Sequence, residues 1–192
     1  MGLLEDTRVE VASVLDQAVA TVDEVSTALW ERLEFEMQHQ AQTYWCWAAT
    51  SVSVSRFYDD GSLWTQCRMV NEERNRTTCC EDGGSKQCNV TNVLDSPLRR
   101  AGVLDEQRDE AVGFEDIRRE IDAGRPVAWR IEWPDQKGHF AVIEGYRDGE
   151  RRLVAIEDPW TGSVDVSFEA IAGGEYQGNG RWTHTYLTRS PS

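Results

Sequence analysis

The spacing of apolar residues changes at Pro126, and that change restricts the fold more than any other feature of the chain. Beyond it the sequence reads PVAWRIEW, HFAVIEGYRD, RRLVAIEDP, SVDVSF and GRWTHTYLT, short runs rich in β-branched and aromatic residues, separated by Gly, Asp and Pro turns. These predict the strands of an antiparallel sheet or partial barrel. Before Pro126 the spacing is mainly helical. From about Arg8 to Arg32, Val11, Leu15, Ala18, Val22, Val25 and Leu29 recur at steps of three and four, predicting one long amphipathic helix. WTQCRMVNEE from Trp64, NVTNVLDSPLRR from Asn89 and FEDIRREIDAG from Phe114 predict short helices, the last stopped by Gly124. LEFEMQHQ, with Leu33, Phe35 and Met37 alternating against polar residues, predicts a strand. The fold class is therefore α+β with helices first: residues 1–32 form an N-terminal appendage or pro-segment, and residues 33–192 a single globular domain.

The stretch QTYWCWAATSVSV, residues 42 to 54, carries a conflict. SVSVS alternates as a strand does, while CWAAT favours helix. Ala48 with Val52 and Val54 with Tyr58 fall four apart, which selects helix.

With 192 residues, a formal charge of -14 and 28% charged against 40% hydrophobic residues, the chain has the composition of a soluble globular protein. Such an excess of carboxylates argues against nucleic acid or an anionic membrane as partner and suits a neutral or basic polypeptide. No run approaches the roughly 20 apolar residues that a membrane span requires. MGLLEDTRVEVASV lacks the basic-then-apolar form of a secretory signal.

Of the five cysteines, Cys46 stands alone, and Cys67, Cys79, Cys80 and Cys88 cluster within 22 positions. The cluster reads as two disulfides formed in an oxidising compartment, which points to export or delivery outside the cytoplasm. Pairing Cys79 with Cys80 is the least favoured connectivity, because it strains the intervening peptide. Reduced structural cysteines and a zinc site are the alternatives, although adjacent ligands do not fit the usual zinc spacing.

The disulfide reading leaves Cys46 as a lone thiol at the start of a predicted helix, where unpaired backbone N–H groups and a nearby imidazolium stabilise a thiolate. Three histidines are available. His184, in WTHTYL, is expected on one strand face with Trp182 and Tyr186 as a packed residue, and His39 lies in a glutamine-rich turn. His139 opens the apolar run FAVIEGY, so its side chain projects from the first residues of a core strand. Asp158 ends another core strand, LVAIED, where a carboxylate can accept the second imidazole N–H and fix the tautomer. Trp160, two residues on, is placed to shield that hydrogen bond from water.

Taken together, these stretches resemble the papain-like cysteine peptidases, and within them the bacterial C39/C70-like group of AvrRpt2-type effectors. QTYWCWAAT resembles that family's nucleophile helix, GHFAVIEGY its histidine segment and LVAIEDPWTG its Asn or Asp segment, in the same chain order from about Gln38 to Trp160. The cysteine loop TTCCEDGGSKQCN is also similar to bacterial members. The resemblance implies a papain-like catalytic domain in which Cys46 is the nucleophile, His139 the general acid and base, and Asp158 the orienting group. It implies an oxyanion hole formed by the Cys46 N–H and a glutamine. Gln42, four residues before Cys46, is preferred for that role, and Gln40, six before it, is retained. The implied reaction is hydrolysis of a protein or peptide through a thioester, with no cofactor. Side-chain deamidation or transglutamination and an inactive binding module remain alternatives on the same fold. Nothing in the resemblance covers the N-terminal helix, whose apolar face calls for a partner: its own domain, the cleft or another protein.

Overall fold

The computed structural model describes residues 29–191. Its centre is an open seven-stranded antiparallel sheet in the order β2-β7-β3-β4-β5-β6, with β1 added against β4. The strands are β1 (Glu31–Arg32), β2 (Leu104–Arg108), β3 (Val127–Glu132), β4 (Gly138–Arg147), β5 (Leu153–Asp158), β6 (Gly162–Ser167) and β7 (Arg181–Thr188). The helices are α1 (Cys46–Tyr58), α2 (Gln66–Arg74), α3 (Asp95–Arg100), α4 (Phe114–Asp122) and α5 (Phe168–Ala172). This is the expected mixed α+β architecture, with the sheet left open.

Alternation along the central strands builds two cores. Phe140 and Val142 of β4, Ala128 of β3 and Tyr186 of β7 face α1, α2 and α3, where Trp47, Val52, Met69, Leu94 and Leu98 are fully buried. Ala141, Ile143, Trp129, Ile131, Val154 and Ile156 face α4 and α5 with Phe114, Ile117 and Ile171. A strand covered on both sides has no reason to alternate in polarity, which is why β4 reads as the nearly continuous run FAVIEGY.

The helix α1 is held from outside rather than by propensity. Every residue from Cys46 to Ser55 is buried, so the polar members of SVSVS must find partners in the core. Ser51 Oγ donates to the Ala48 carbonyl at 3.1 Å, Ser53 Oγ accepts from the Gln38 N–H at 2.9 Å, and Ser55 pairs with Ser62 at 2.8 Å. With these groups satisfied, burial overrides the strand preference of Val52 and Val54.

Several expectations are corrected. Leu33 to Gln40 is not a strand but an extended arm. Its predicted alternation survives as burial, since Phe35 is buried between exposed Glu34 and Glu36. Its backbone bonds go to scattered partners instead of one ladder: Leu33 N–H to the Glu144 carbonyl and Gln40 N–H to the Pro159 carbonyl, each at 2.9 Å. The helix expected from Asn89 begins only at Asp95, because residues 88–90 are occupied in bonding Tyr44, Trp45 and Trp47. His184 does not share a face with Trp182. A bulge between the Arg130–His184 and Ile131–Trp182 pairs turns Trp182 into one core and leaves His184 stacked near Tyr186 on the other side.

The predicted N-terminal helix falls on residues 1–28, outside the described ones, apart from its last four positions, and these are not helical. Leu29 and Trp30 are irregular, and Glu31–Arg32 pairs with Tyr146 and Gly145 of β4. Gly145 admits that approach, since a Cβ there would meet the Glu31 carbonyl oxygen at 2.7 Å. Arg32 then bonds Glu144 at 2.9 Å and Asp165 of β6 at 2.6 Å, so the end of the presumed appendage is built into the sheet. Among the described residues no helix is long and apolar enough to cross a membrane.

Candidate active site

Cys46 is the first residue of α1, and its backbone N–H belongs to the first turn, which has no intrahelical acceptors. Trp45 at the N-cap position supplies no capping side chain, and the first turn carries no acidic residue. The positive end of the helix dipole is thus left open and favours negative charge at this position.

The two tryptophans flanking Cys46 anchor it. Trp45 Nε1 donates to the Cys88 carbonyl at 2.8 Å, Trp47 Nε1 donates to the Val90 carbonyl at 3.0 Å, and the Tyr44 N–H donates to Asn89 Oδ1 at 2.9 Å. Residues 88–90 owe their position to two disulfides, Cys67–Cys80 and Cys79–Cys88. Paired in this way, the four clustered cysteines are not available as thiolate ligands, which sets aside the zinc alternative. Cys46 is the free, buried thiol. The cysteine loop therefore fixes the Cys46 segment from behind, a role that the spacing of the cysteines did not reveal.

The opposite wall of the site comes from β4 and β5. Continuing the β4–β5 register one step beyond Val142–Glu157 sets Asp158 across from Ala141, which makes His139 and Asp158 diagonal neighbours on one face. His139 Nε2 donates to Asp158 Oδ1 at 2.9 Å, which leaves Nδ1 as the ring nitrogen available to Cys46. The His139 side chain is 14% exposed and that of Asp158 0%. Burial pushes the imidazolium down, but the hydrogen bond to the Asp158 carboxylate, its charge and the neighbouring Cys46 outweigh it and lift His139 from 6.5 to about 9. On Asp158 burial acts upward, and the His139 contact and the backbone donors outweigh it, leaving its pKa below the ordinary carboxylate value.

Asp158 is held on every side. Besides His139, Oδ1 accepts from the N–H groups of Trp160 at 2.7 Å and Thr161 at 3.1 Å, and Oδ2 accepts from the Tyr176 hydroxyl at 2.9 Å. Tyr176 is buried and packs edge-on against Trp129 at 5.0 Å. Sequence reasoning missed this residue: it sits in the irregular stretch GGEYQGNG, where no period marks it. The Trp160 indole is half exposed and stacks on His39 at 6.1 Å, while Trp133 is the aromatic ring beside His139, at 6.2 Å.

Gln40 and Gln42 are separated clearly. Gln40 is buried and lines the cleft, its Nε2 donating to the Gln42 and Thr43 carbonyls at 2.9 and 2.8 Å, with Oε1 unpartnered. The Gln42 side chain lies instead against Gly83 and Gly84 of the cysteine loop. Cys46, His139, Asp158 and Gln40 open together into a cleft of about 1490 Å³, whose rim carries the exposed apolar side chains of Tyr44, Val93 and Trp160.

A buried thiol at an uncapped helix start facing a His–Asp pair is an arrangement suited to nucleophilic acyl transfer. The Peptidase_C39 like family matches residues 32–185. The chain belongs to the Peptidase_C39 like family. The match runs from Arg32, at the edge of the sheet, to Thr185 in β7, and so takes in Cys46, His139 and Asp158. Among curated proteins none matches. Membership in the Peptidase_C39 like family makes this a papain-like, cysteine peptidase-type hydrolase in general terms, acting on protein or peptide.

Proposed function

We propose that the protein hydrolyses peptide bonds through a Cys46–His139–Asp158 triad and a thioester intermediate. The observation that carries this reading is the cleft in which the one free thiol, at an open helix N-terminus, meets a histidine whose other nitrogen is locked onto a buried carboxylate. The Cys46 thiol gives its proton to His139 and Sγ attacks the carbonyl carbon, forming the C–S bond as the carbonyl π pair moves onto oxygen. His139 gives its proton to the nitrogen as the C–N bond breaks, and the amine leaves. Water then loses a proton to His139 and adds to the thioester, and collapse releases the carboxylic acid and restores the thiol. Asp158 stays ionised throughout and keeps the ring oriented. Negative charge on the carbonyl oxygen is met by the Cys46 N–H and by Gln40, whose Nε2 turns one N–H away from a loop carbonyl toward it. Gln40 takes this role because it lines the cleft; Gln42 points away.

The two disulfides fit an oxidising compartment, and the enzyme acts there, outside the cytoplasm. The narrower likeness to AvrRpt2-type effectors rests on the quoted motifs alone, and the reading of residues 1–32 as an appendage or pro-segment, whether structural, inhibitory or recruiting, rests on their sequence. The test is a comparison of new chain termini produced in a proteome by the protein and by Cys46→Ala. Cleavages that depend on Cys46 are expected. Glutamine deamidation without chain scission would overturn the peptidase reading in favour of side-chain chemistry.

A further inference from the structure

A second cavity, of about 580 Å³, lies between β6 and the α5–Tyr176 segment, and its walls are apolar: Val164 and Val166 from β6, Ala170 and Ile171 from α5, and the Tyr176 ring. Thr161 and Gln177 line both this groove and the catalytic cleft, so the two are continuous. The Gln177 amide donates to Thr161 Oγ1 at 3.2 Å across the junction. Val164 is 39% exposed at the groove, although the chain has ample polar residues to place on a surface strand. The strand β6 pairs with β5 along one edge only and ends the sheet, leaving its outer N–H and C=O groups unpaired among the described residues.

The chemistry of the site indicates which part of a substrate arrives there. The leaving nitrogen must lie next to the group that protonates it, which is His139. The chain attached to that nitrogen therefore exits past His139, Asp158 and Thr161, and Thr161 immediately precedes β6. We infer that the groove along β6 is an extended binding site for the leaving-amine side of a polypeptide substrate, which adds to the sheet as a strand and seats alternate apolar side chains against Val164, Val166 and Ile171. The substrate runs away from the scissile bond toward its own C-terminus, and β6 runs away from the site from Gly162 to Ser167, so the added strand is parallel to β6. Six residues of β6 span about 20 Å at roughly 3.3 Å each, room for backbone pairing along several residues beyond the cleaved bond. Glu175 at the groove adds a preference for a basic residue in that segment.

This inference rests on the peptidase reading for its direction but is measured apart from it. Val164→Asp puts a charge at an already exposed position, outside the catalytic machinery, and its melting temperature verifies that the fold is kept. The first arm uses Cys46→Ala, which cleaves nothing, and a fluorescein-labelled decapeptide alternating valine with serine and lysine. Fluorescence anisotropy should show binding that weakens at least about ten-fold with Val164→Asp added, and similarly when alternate peptide nitrogens are methylated. The second arm uses the active protein and a bond found in the proteome comparison. Val164→Asp should lower kcat/KM at least about ten-fold for a peptide extended beyond that bond and leave unchanged the rate for an aminocoumarin amide, which ends there. Decapeptide binding that ignores both Val164→Asp and methylation overturns the groove, as does an equal loss on both substrates. Val164-dependent binding in a protein that cleaves no peptide retains the groove and removes the peptidase reading.

Discussion

The His139–Asp158 pair has a measurable signature in stability. Replacing His139 with Gln keeps a polar side chain of similar bulk but removes the titrating group. In the native protein, the rise of His139 from 6.5 to about 9 corresponds, at about 1.4 kcal/mol per pH unit, to about 3 kcal/mol of folding free energy. Because the folded-state value is the higher one, the folded state holds the proton more tightly. The contribution is complete below about pH 6.5 and is lost as the pH rises through about 9. Solvent screens this pair little, since the His139 side chain is only 14% exposed and that of Asp158 0%. Urea unfolding of both proteins, with the disulfides intact, should show the parent losing about 3 kcal/mol more than His139→Gln between about pH 6 and pH 9.5. In Cys46→Ala the same loss should shrink, because the neighbouring Cys46 that helps to lift His139 is gone. Parallel curves for parent and His139→Gln across this window would refute the coupling of His139 to its two partners.

The lone thiol gives a second prediction: in the folded, unreduced protein iodoacetamide should modify Cys46 and spare Cys67, Cys79, Cys80 and Cys88, as mapped by peptide mass, and label spread over all five would contradict the site. Tyr176→Phe strips Asp158 Oδ2 of its donor, so it should cost about 2 kcal/mol and, by raising the carboxylate pKa, shift acid unfolding to higher pH; an unchanged acid transition would show that the hydroxyl does not hold Asp158. Arg32→Ala leaves Glu144 buried without its cation and should cost about 2 kcal/mol near pH 8, less than a fully buried pair because Arg32 is 38% exposed. The cost should fall as the pH is lowered, because Glu144, whose pKa burial already raises, takes up a proton, and Glu144→Gln should restore most of it. Gln40→Ala should reduce kcat by about two orders of magnitude with KM little changed, and Gln42→Ala should not; the reverse result would move the oxyanion donor to Gln42.

The sequence by itself determined the elements whose burial is periodic and the chemistry carried by residue type. β3, β4, β5 and β7 were legible because each presents a repeating face to a core, and α4 because its apolar stripe ends at Gly124, which takes a φ of +74°. Cys46, His139 and Asp158 were legible because a lone thiol, a histidine and an aspartate each stood at the end of a recognisable element. Elements whose form depends on distant partners were not legible. The extended arm Leu33–Gln40 alternates like a strand, yet bonds to β4, α1 and the segment after β5 in turn, and no local pattern encodes that. The edge strand β2, LDEQR, has a buried Leu104 but no apolar alternation to mark it. Tyr176 lies 18 residues from Asp158 in an irregular loop, and only the packing against Trp129 brings its hydroxyl to the carboxylate. The directions of Gln40 and Gln42 were likewise set by tertiary structure: they are two residues apart in chemically identical form, and only the turn into α1 sends one into the cleft and the other against the cysteine loop. Local sequence specifies what a residue can do and the element that carries it, whereas its direction is set by contacts between segments far apart in the chain.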